Sequence, residues 1–542
     1  MHKSRALPAV LFAVAVSALV GGVLGRQAQA TSDPLTDRYR TFTAALAAVE
    51  QEYVEEVEAD RLVYSAITGM LQTLDPHSSF LDPRAYAQLR ERQEGRYYGL
   101  GISIVPVDGD ITVVSLFEGS PAYKKGIRRG DVIARIEGTD TKGWTSEQAV
   151  KSLRGPKGSE VKLGLRRQGF AELIDLSVAR DEVNIPTIKG AFMVDQQTGY
   201  IRLNDFSETT DRDLGAALDA LASRGMRRLL LDLRDNPGGP LDQAIKVSDR
   251  FLPQGDLVVY TRGRTRNSDQ DYRADNAGEL ADVPVVVLVN RNSASASEIV
   301  SGALQDHDRA LVVGEKTFGK ALVQSVYRIS EGAGLALTTA RYFTPSGRLI
   351  QRPWDGTFDE YLTYSLRDQK TDEPRDPANL KFTDAGRKVY GGGGIEPDKY
   401  LAGPVEGFNP GRFARGLWAR QIFADFAQLY TAAGDTRIAG GNNQKTLARG
   451  FTVDDAMVAD FRGYLVTRKV RIDDQALTAD LEFVRAMIQH DLDLALFGVE
   501  EARRNLLRRD PQAQFALQQF GEAARLTQLK APQPTASRQG LQ

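Results

Sequence analysis

The chain has 542 residues, 42% of them hydrophobic, and 69 Lys and Arg set against 71 Asp and Glu leave a net charge of −2. At roughly 100 to 200 residues per domain there is room for three or four domains with real cores, and the balanced charge argues against a disordered chain or a basic polymer binder, nucleic acid included. Cysteine is absent, which excludes disulfides, thiolate nucleophiles and Cys-based zinc sites, and only His2, His77, His307 and His490 are available to a histidine-dependent hydrolase or metal centre.

Residues 1–30 read as a signal peptide or membrane anchor: His2, Lys3 and Arg5 precede an apolar run from Ala6 to Gly25, and Ala28-Gln29-Ala30 has the small residues of a cleavage site. The run approaches the ~20 residues that span a bilayer, so a retained anchor is the alternative to cleavage. In both cases the remaining domains are expected to be exported, to the periplasm or cell envelope. Residues 31–95 carry apolar positions at helical spacing (Leu46, Val49, Tyr53, Val57, then Leu62, Ile67, Met70, Leu71 and Leu74), broken at Asp75-Pro76. From 96 to 180 the pattern turns to short strands, such as Ile111 to Val114, Asp131 to Ile136 and Val161 to Leu163, between Gly-rich turns.

Residues 181–404 alternate strand and helix. Gly199 to Leu203, Arg228 to Leu233 and Val283 to Val289 read as strands, and Asp211 to Ser223 and Leu241 to Phe251 as helices, which predicts an α/β layered core. Residues 405–530 return to amphipathic helical patterns near 412–432, 453–468 and 477–508, and a Pro/Ser/Gln tail at 531–542 reads as disordered. The predicted fold class is thus α/β multidomain: a β-rich module inserted between an N-terminal helical region and an α/β core, with a helical C-terminal extension. Two amphipathic regions flanking the core, 36–92 and 412–508, predict a homo-oligomer.

Chemistry concentrates in Val283 to Gln324, where an apolar strand runs through a polar turn into a helix beginning near Ala296. A serine at such a junction sits at the exposed end of a sheet beside unpaired helix N–H groups able to stabilise an oxyanion. Ser293, Ser295 and Ser297 all compete for that place, and a serine before a helix is ordinarily just an N-cap. A second strand ends in Arg234-Asp235-Asn236-Pro237-Gly238-Gly239, whose glycines let backbone N–H groups approach a ligand; an ordinary turn reads the same way. No HExxH, Walker A loop or dinucleotide fingerprint occurs, and no cofactor or metal is implied.

These blocks resemble the C-terminal processing (tail-specific) peptidases. The family's Ser-Ala-Ser-Glu is matched by Ser295-Ala296-Ser297-Glu298, and its lysine after Thr-Phe-Gly by Lys320, 25 residues after Ser295. The resemblance implies a serine endopeptidase with Ser295 as nucleophile, Lys320 as general base and Gln324 orienting the lysine. It also implies an oxyanion hole from Gly238 or Gly239 with Ala296, and a structural role for Asp306 and for His77 in Asp75-Pro76-His77-Ser78. Lysine at its ordinary pKa of ~10.4 is no base at neutral pH, so Lys320 must be desolvated; Phe318, Ala321, Leu322 and Val323 offer apolar surroundings, while Lys316 beside Glu315 reads as a solvated ion pair. His307 beside Asp306 would be needed for a rival Ser/His/Asp scheme.

The β-rich module resembles a PDZ domain, with Gly99, Leu100, Gly101 and Ile102 in its carboxylate-binding loop and an edge strand from Ile102 able to pair with an extended peptide. The implied partners are proteins or peptides with exposed C-terminal tails, cleaved near that end through an acyl-enzyme. Arg154 either senses an occupied groove or caps a turn. The resemblance covers about Leu35 to Pro404 and leaves residues 405–542 without a functional reading.

Overall fold

The computed structural model describes residues 34–529, apart from 118, 168–169, 277, 330–331, 355–360, 362, 365–374, 403–410 and 432–446. The apolar run at 6–25 and the tail at 531–542 therefore lie outside the described residues. The N-terminal region is three helices, α1 (Pro34–Glu52), α2 (Ala59–Gln72) and α3 (Pro83–Glu94). Asp82 caps α3 by accepting from the Ala85 N–H at 2.7 Å, and Pro83 at the first helical position loses nothing by lacking an N–H. Between α2 and α3 the chain makes a short strand, β1 (Ser79–Leu81), just after the Asp75-Pro76 break in a region read otherwise as helical.

Two strands at the module's ends, β2 (Arg96–Gly99) and β9 (Asp181–Asn184), pair antiparallel and close it at its neck. Within it an antiparallel sheet runs β3 (Ile102–Val107), β4 (Asp110–Leu116), β5 (Val132–Ile136), β7 (Glu160–Arg166) and β8 (Ile174–Ala179), with the two-residue β6 (Thr139–Asp140) beside β5. One edge of this sheet is β3. A one-turn helix α4 (Pro121–Lys124) and a longer helix α5 (Ser146–Leu153) complete the module, the latter fixed by a capping box between Thr145 and Gln148. Ile111, Val113, Ile133, Val161 and Leu165, none of them exposed, form its core.

In the core a six-stranded sheet is ordered β10 (Ile188–Met193), β11 (Thr198–Leu203), β12 (Arg228–Asp232), β15 (Val285–Val289), β16 (Ala310–Gly314) and β19 (Lys399–Tyr400). Only the β10–β11 pair is antiparallel. The central parallel strands β15 and β16 are continuous apolar runs, as strands buried on both faces require. One face is covered by α6 (Thr210–Ser223), α7 (Leu241–Asp249) and α8 (Ala296–Asp306). A second sheet orders β1, β18 (Gly334–Phe343), β13 (Leu257–Gly263) and β14 (Gln270–Arg273), with β17 (Leu322–Arg328) also on β18.

C-terminal helices follow from α9 (Arg412–Ala419) and α10 (Ile422–Thr431) through α11 (Asp455–Thr467), α12 (Asp474–Ala479), α13 (Leu481–Phe497) and α14 (Val499–Arg509) to α15 (Pro511–Leu517) and α16 (Phe520–Thr527). The first of these form a bundle around Phe423, Phe426, Phe461 and Ile488. The last ones do something the sequence pattern does not show. Leu507, Ala513, Ala516, Phe520 and Leu526 pack on Leu230, Val286, Leu288 and Leu311, so the C-terminal end is the second helical layer of the central sheet.

Candidate active site

Strand β15 ends at Val289, and the turn 290–295 delivers α8. Of the three serines, Ser293 is fully buried and its hydroxyl donates to the Leu233 carbonyl at 2.8 Å. Ser297 is equally buried and donates to the Asn236 carbonyl at 3.0 Å. Both therefore lace this turn to the Arg234–Gly239 turn that follows β12. The Ser295 hydroxyl donates to no acceptor among the described residues; at the N-cap of α8 it faces only the Glu298 N–H of a capping box. Its backbone sits at φ +54°, ψ −112°, a conformation that a residue with a Cβ holds only when its surroundings impose it.

What imposes it is Glu298. Its carboxylate is inaccessible to solvent and accepts four donors. Oε2 takes the backbone N–H of Ser295 at 2.8 Å and of Lys320 at 2.9 Å, and Oε1 takes the N–H of Gly319 at 2.7 Å and the Thr317 hydroxyl at 2.5 Å. Burial pushes this carboxyl up to about 6 in spite of those donors, so it is ionised above that pH. Tyr342, from β18, adds a second tie: its hydroxyl donates to the Lys320 carbonyl and lies 3.2 Å from that of Ser295.

The Lys320 side chain is half-buried, and its ammonium donates to Gln324 Oε1 at 3.1 Å. Desolvation lowers its pKa from 10.5, opposed by the negative charges of Glu298 and Asp75. No hydrogen bond joins Lys320 Nζ to Ser295 Oγ among the described residues. Gln324 is itself oriented from outside the core, since its amide donates to the His77 carbonyl. Asp75 holds that segment by accepting the N–H groups of His77 and Ser78, each at 2.8 Å, and the Ser78 and Thr338 hydroxyls at 2.7 and 3.1 Å. The His77 ring meets Tyr361 at 2.8 Å and is pushed down to about 4, by burial and then by the Lys320 charge.

Facing Ser295 is the 233–239 turn. Gly238 has φ +90°, and a Cβ there would stand 2.7 Å from the Ala296 nitrogen and 2.8 Å from Ser295 Cβ, so only glycine lets the two turns meet. The Gly238 N–H is already committed to Asn236 Oδ1 at 2.9 Å. By contrast Gly239 is exposed, and neither its N–H nor that of Ala296 has a hydrogen-bond partner among the described residues.

The remaining candidates fall elsewhere. Asp306 is buried against Arg348 and accepts from Ser346 N and Oγ at 3.0 and 2.7 Å. His307 caps the far end of α8, with Nδ1 on Asp384 at 2.7 Å and Nε2 on the Leu257 carbonyl at 2.8 Å, so the Ser/His/Asp alternative has no geometry here. Glu315 is not in a solvated pair with Lys316; it is buried and bound by Arg291 Nε at 3.0 Å, because a carboxylate taken out of water needs a guanidinium on it. Sequence reasoning placed Glu298 only as the last residue of the Ser-Ala-Ser-Glu block and gave Tyr342 no role of its own; the signal for the former was its place three residues after a cap-like serine.

In the β-rich module Leu100 is buried in the core, and the carbonyls of Leu100 and Gly101 are taken by the N–H groups of Ala122 and Phe117, each at 2.9 Å. Gly99 ends β2, opposite Asp181, and Ile102 begins the edge strand β3. Arg154 follows α5, pairs with Glu91 of α3 at 2.5 Å and stacks 4.7 Å from the Tyr97 ring centroid.

Three family models match the chain: peptidase family S41 over residues 197–357, the PDZ domain over 88–166, and the activating protease CtpB N-terminal domain over 22–85. The carboxy-terminal-processing protease of Bartonella bacilliformis is 42% identical over 308 residues, which cover 56% of this chain and 70% of that protein. The carboxy-terminal processing protease CtpA of Bacillus subtilis is 34% identical over 390 residues, covering 71% and 80%. Among solved structures the chain is similar to a photosystem II D1 C-terminal processing protease, with 29% identity, a TM-score of 0.35, and coverage of 67% of this chain and 93% of that one.

Proposed function

Since the chain belongs to the carboxy-terminal-processing proteases of peptidase family S41, serine-type peptidases carrying a PDZ domain, we propose that it cleaves proteins near their C-termini with a Ser295/Lys320 dyad. The observation that carries this is that the residue with the one serine hydroxyl of the turn held by no carbonyl and the residue with the desolvated lysine give their backbone N–H groups to the same oxygen of Glu298. Neutral Lys320 takes the Ser295 proton as Oγ attacks the scissile carbonyl. The oxyanion is received by the Ala296 N–H and the Gly239 N–H, with Gly238 serving as the close-packed joint between the two turns. Collapse passes the proton from the Lys320 ammonium to the departing amine and leaves an acyl-enzyme. Water, deprotonated by the same lysine, then releases the acid. Gln324 holds the amine in the resting enzyme, and substrate binding brings Nζ onto Oγ.

Tail capture belongs to the same reading. The loop Gly99-Leu100-Gly101-Ile102 offers backbone N–H groups to a terminal carboxylate, and β3 is an edge strand to which an extended peptide can add. We further propose the division into an N-terminal helical region (31–95), PDZ domain (96–180), protease core (181–404) and helical extension (405–530). Export by the N-terminal segment, cleaved or kept as an anchor, and a homo-oligomer complete the proposal. Support for the latter is the exposed apolar set Leu35, Tyr39, Phe42 and Val49 on α1. No described helix is long and apolar enough to cross a membrane.

The test is incubation with an unstructured polypeptide bearing an apolar C-terminus, followed by mass spectrometry. Wild type should shorten it from that end, whereas Ser295→Ala and Lys320→Ala should leave it intact. Hydrolysis by Ser295→Ala at the wild-type rate would end the proposal.

A further inference from the structure

Strand β12 leads directly into the turn that faces Ser295, and its last residues form a buried charge network. Asp232 is inaccessible to solvent and receives Arg234 three times, from its N–H at 3.0 Å, Nε at 3.0 Å and Nη2 at 2.8 Å. The Tyr200 hydroxyl donates to Asp232 Oδ2 at 2.8 Å, and Arg202 lies 3.6 Å from the same oxygen. Asp232 alone leaves half the Arg234 fork unmatched. The match comes from the C-terminal helices: Arg234 Nη2 lies 2.6 Å from Asp510 Oδ2, and Nη1 donates to Gln512 Oε1 at 3.1 Å. Gln512 in turn donates to the Leu401 carbonyl at 3.0 Å.

Arg234 opens the turn whose fifth residue onward is Gly238-Gly239. Between them Asp235 holds φ +59°, braced by Asn290 and Asn292 from the Ser295 turn at 2.8 and 2.9 Å. A guanidinium fixed on both sides by carboxylates cannot rotate without leaving a buried charge unpaired, so its backbone is fixed with it. We propose that Asp510 and Gln512 are positioning residues for catalysis: through Arg234 they set the Gly239 N–H where the oxyanion develops, which makes the C-terminal helices part of the active-site apparatus. This rests on the oxyanion reading above and extends it to a region outside the matched peptidase domain.

Asp510 has two jobs that can be separated. Its Oδ1 caps α15 by accepting from the Ala513 N–H at 3.1 Å, while Oδ2 meets Arg234. Asp510→Ser keeps a good N-cap but cannot reach the guanidinium, and Asp510→Asn keeps cap and reach without the charge. In the full chain, with an unstructured apolar-tailed peptide, Asp510→Ser should lower kcat about tenfold at unchanged KM. It should slow Ser295 labelling by a fluorophosphonate to the same extent, since that adduct also needs the oxyanion donors. Asp510→Asn should fall between, and the pH of the alkaline rise in activity, set by Lys320, should stay put in both. Gln512→Ala gives an independent check in the same direction. Variants with lowered melting temperature but wild-type kcat and labelling rate, assayed well below the melt, would overturn the proposal. Activity surviving in Ser295→Ala would instead overturn the dyad, so the two failures are told apart.

Discussion

Ser295 and Lys320, 25 residues apart in the chain, give their backbone N–H groups to one oxygen of one buried carboxylate, Glu298 Oε2. The nucleophile's strained backbone and the base's loop are thereby one unit, and the carboxylate that joins them also opposes the lowering of the lysine's pKa. Glu298→Gln should break the unit, because an amide can accept through one atom only and would turn an N–H towards two of the four donors. Hydrogen bonds to charged groups contribute about 1.5 to 3 kcal/mol, which corresponds to a fall in kcat of about 10- to 100-fold. Residual activity should show its alkaline rise at lower pH than wild type, since a negative charge beside Lys320 is gone. Wild-type kcat in a folded Glu298→Gln protein would refute this.

The pH dependence of the wild type follows from Lys320. Burial lowers its pKa from 10.5, the neutral amine is the working form, and that form is lost as pH falls through the lowered value. Activity should therefore rise with pH at a midpoint below the free-lysine value. Replacement by arginine, which stays protonated, should abolish it, and Lys320→Ala should cost about 10²- to 10⁴-fold. A kcat/KM profile flat from pH 6 to 9, with chemistry rate-limiting, would contradict the assignment.

The N-terminal region reaches the base through Gln324. Its amide is held by the His77 carbonyl, and Asp75 fixes that carbonyl by gathering the N–H groups of His77 and Ser78. Asp75→Ala should lower kcat about tenfold with little change in KM, and Gln324→Ala should do the same. The double variant should lose little more than either single one, because both act on one lysine. Fully additive losses would mean that Asp75 acts elsewhere.

Local patterns carried the elements well and the site only in part. Val285–Val289 and α8 are legible because an unbroken apolar run followed by a polar turn has few other solutions. Three competing serines could not be separated by pattern, since what separates them is non-local: Ser293 and Ser297 are consumed by carbonyls of residues 233 and 236. Strand β1 escaped because three residues show no period, and its partner β18 lies more than 250 residues away. The amphipathic faces of α14 to α16 were legible as apolar, but nothing in them says that the central sheet is what they cover.

Communication between the PDZ domain and the catalytic core can be tested at one contact. Arg129, in the turn before β5, reaches the C-terminal bundle: Nη1 pairs with Asp491 at 2.9 Å, Nη2 donates to Gln421 at 3.3 Å, and Gln428 donates to the Arg129 carbonyl at 3.2 Å. The same run of C-terminal helices places Asp510 on Arg234, so the extension touches both the domain proposed to bind tails and the turn proposed to bind the oxyanion. A bound tail can shift the protease only through a difference in its affinity for two arrangements of the PDZ domain, and a salt bridge that exists in one of them is such a difference. Arg129→Ala, or Asp491→Asn, should leave tail binding intact while moving towards one the ratio of cleavage rates for an apolar-tailed and a polar-tailed version of one polypeptide. Deleting residues 97–180 should abolish the ratio altogether. If both point variants and the deletion keep the wild-type preference for apolar tails in soluble protein, the PDZ domain does not gate the site through this contact or any other.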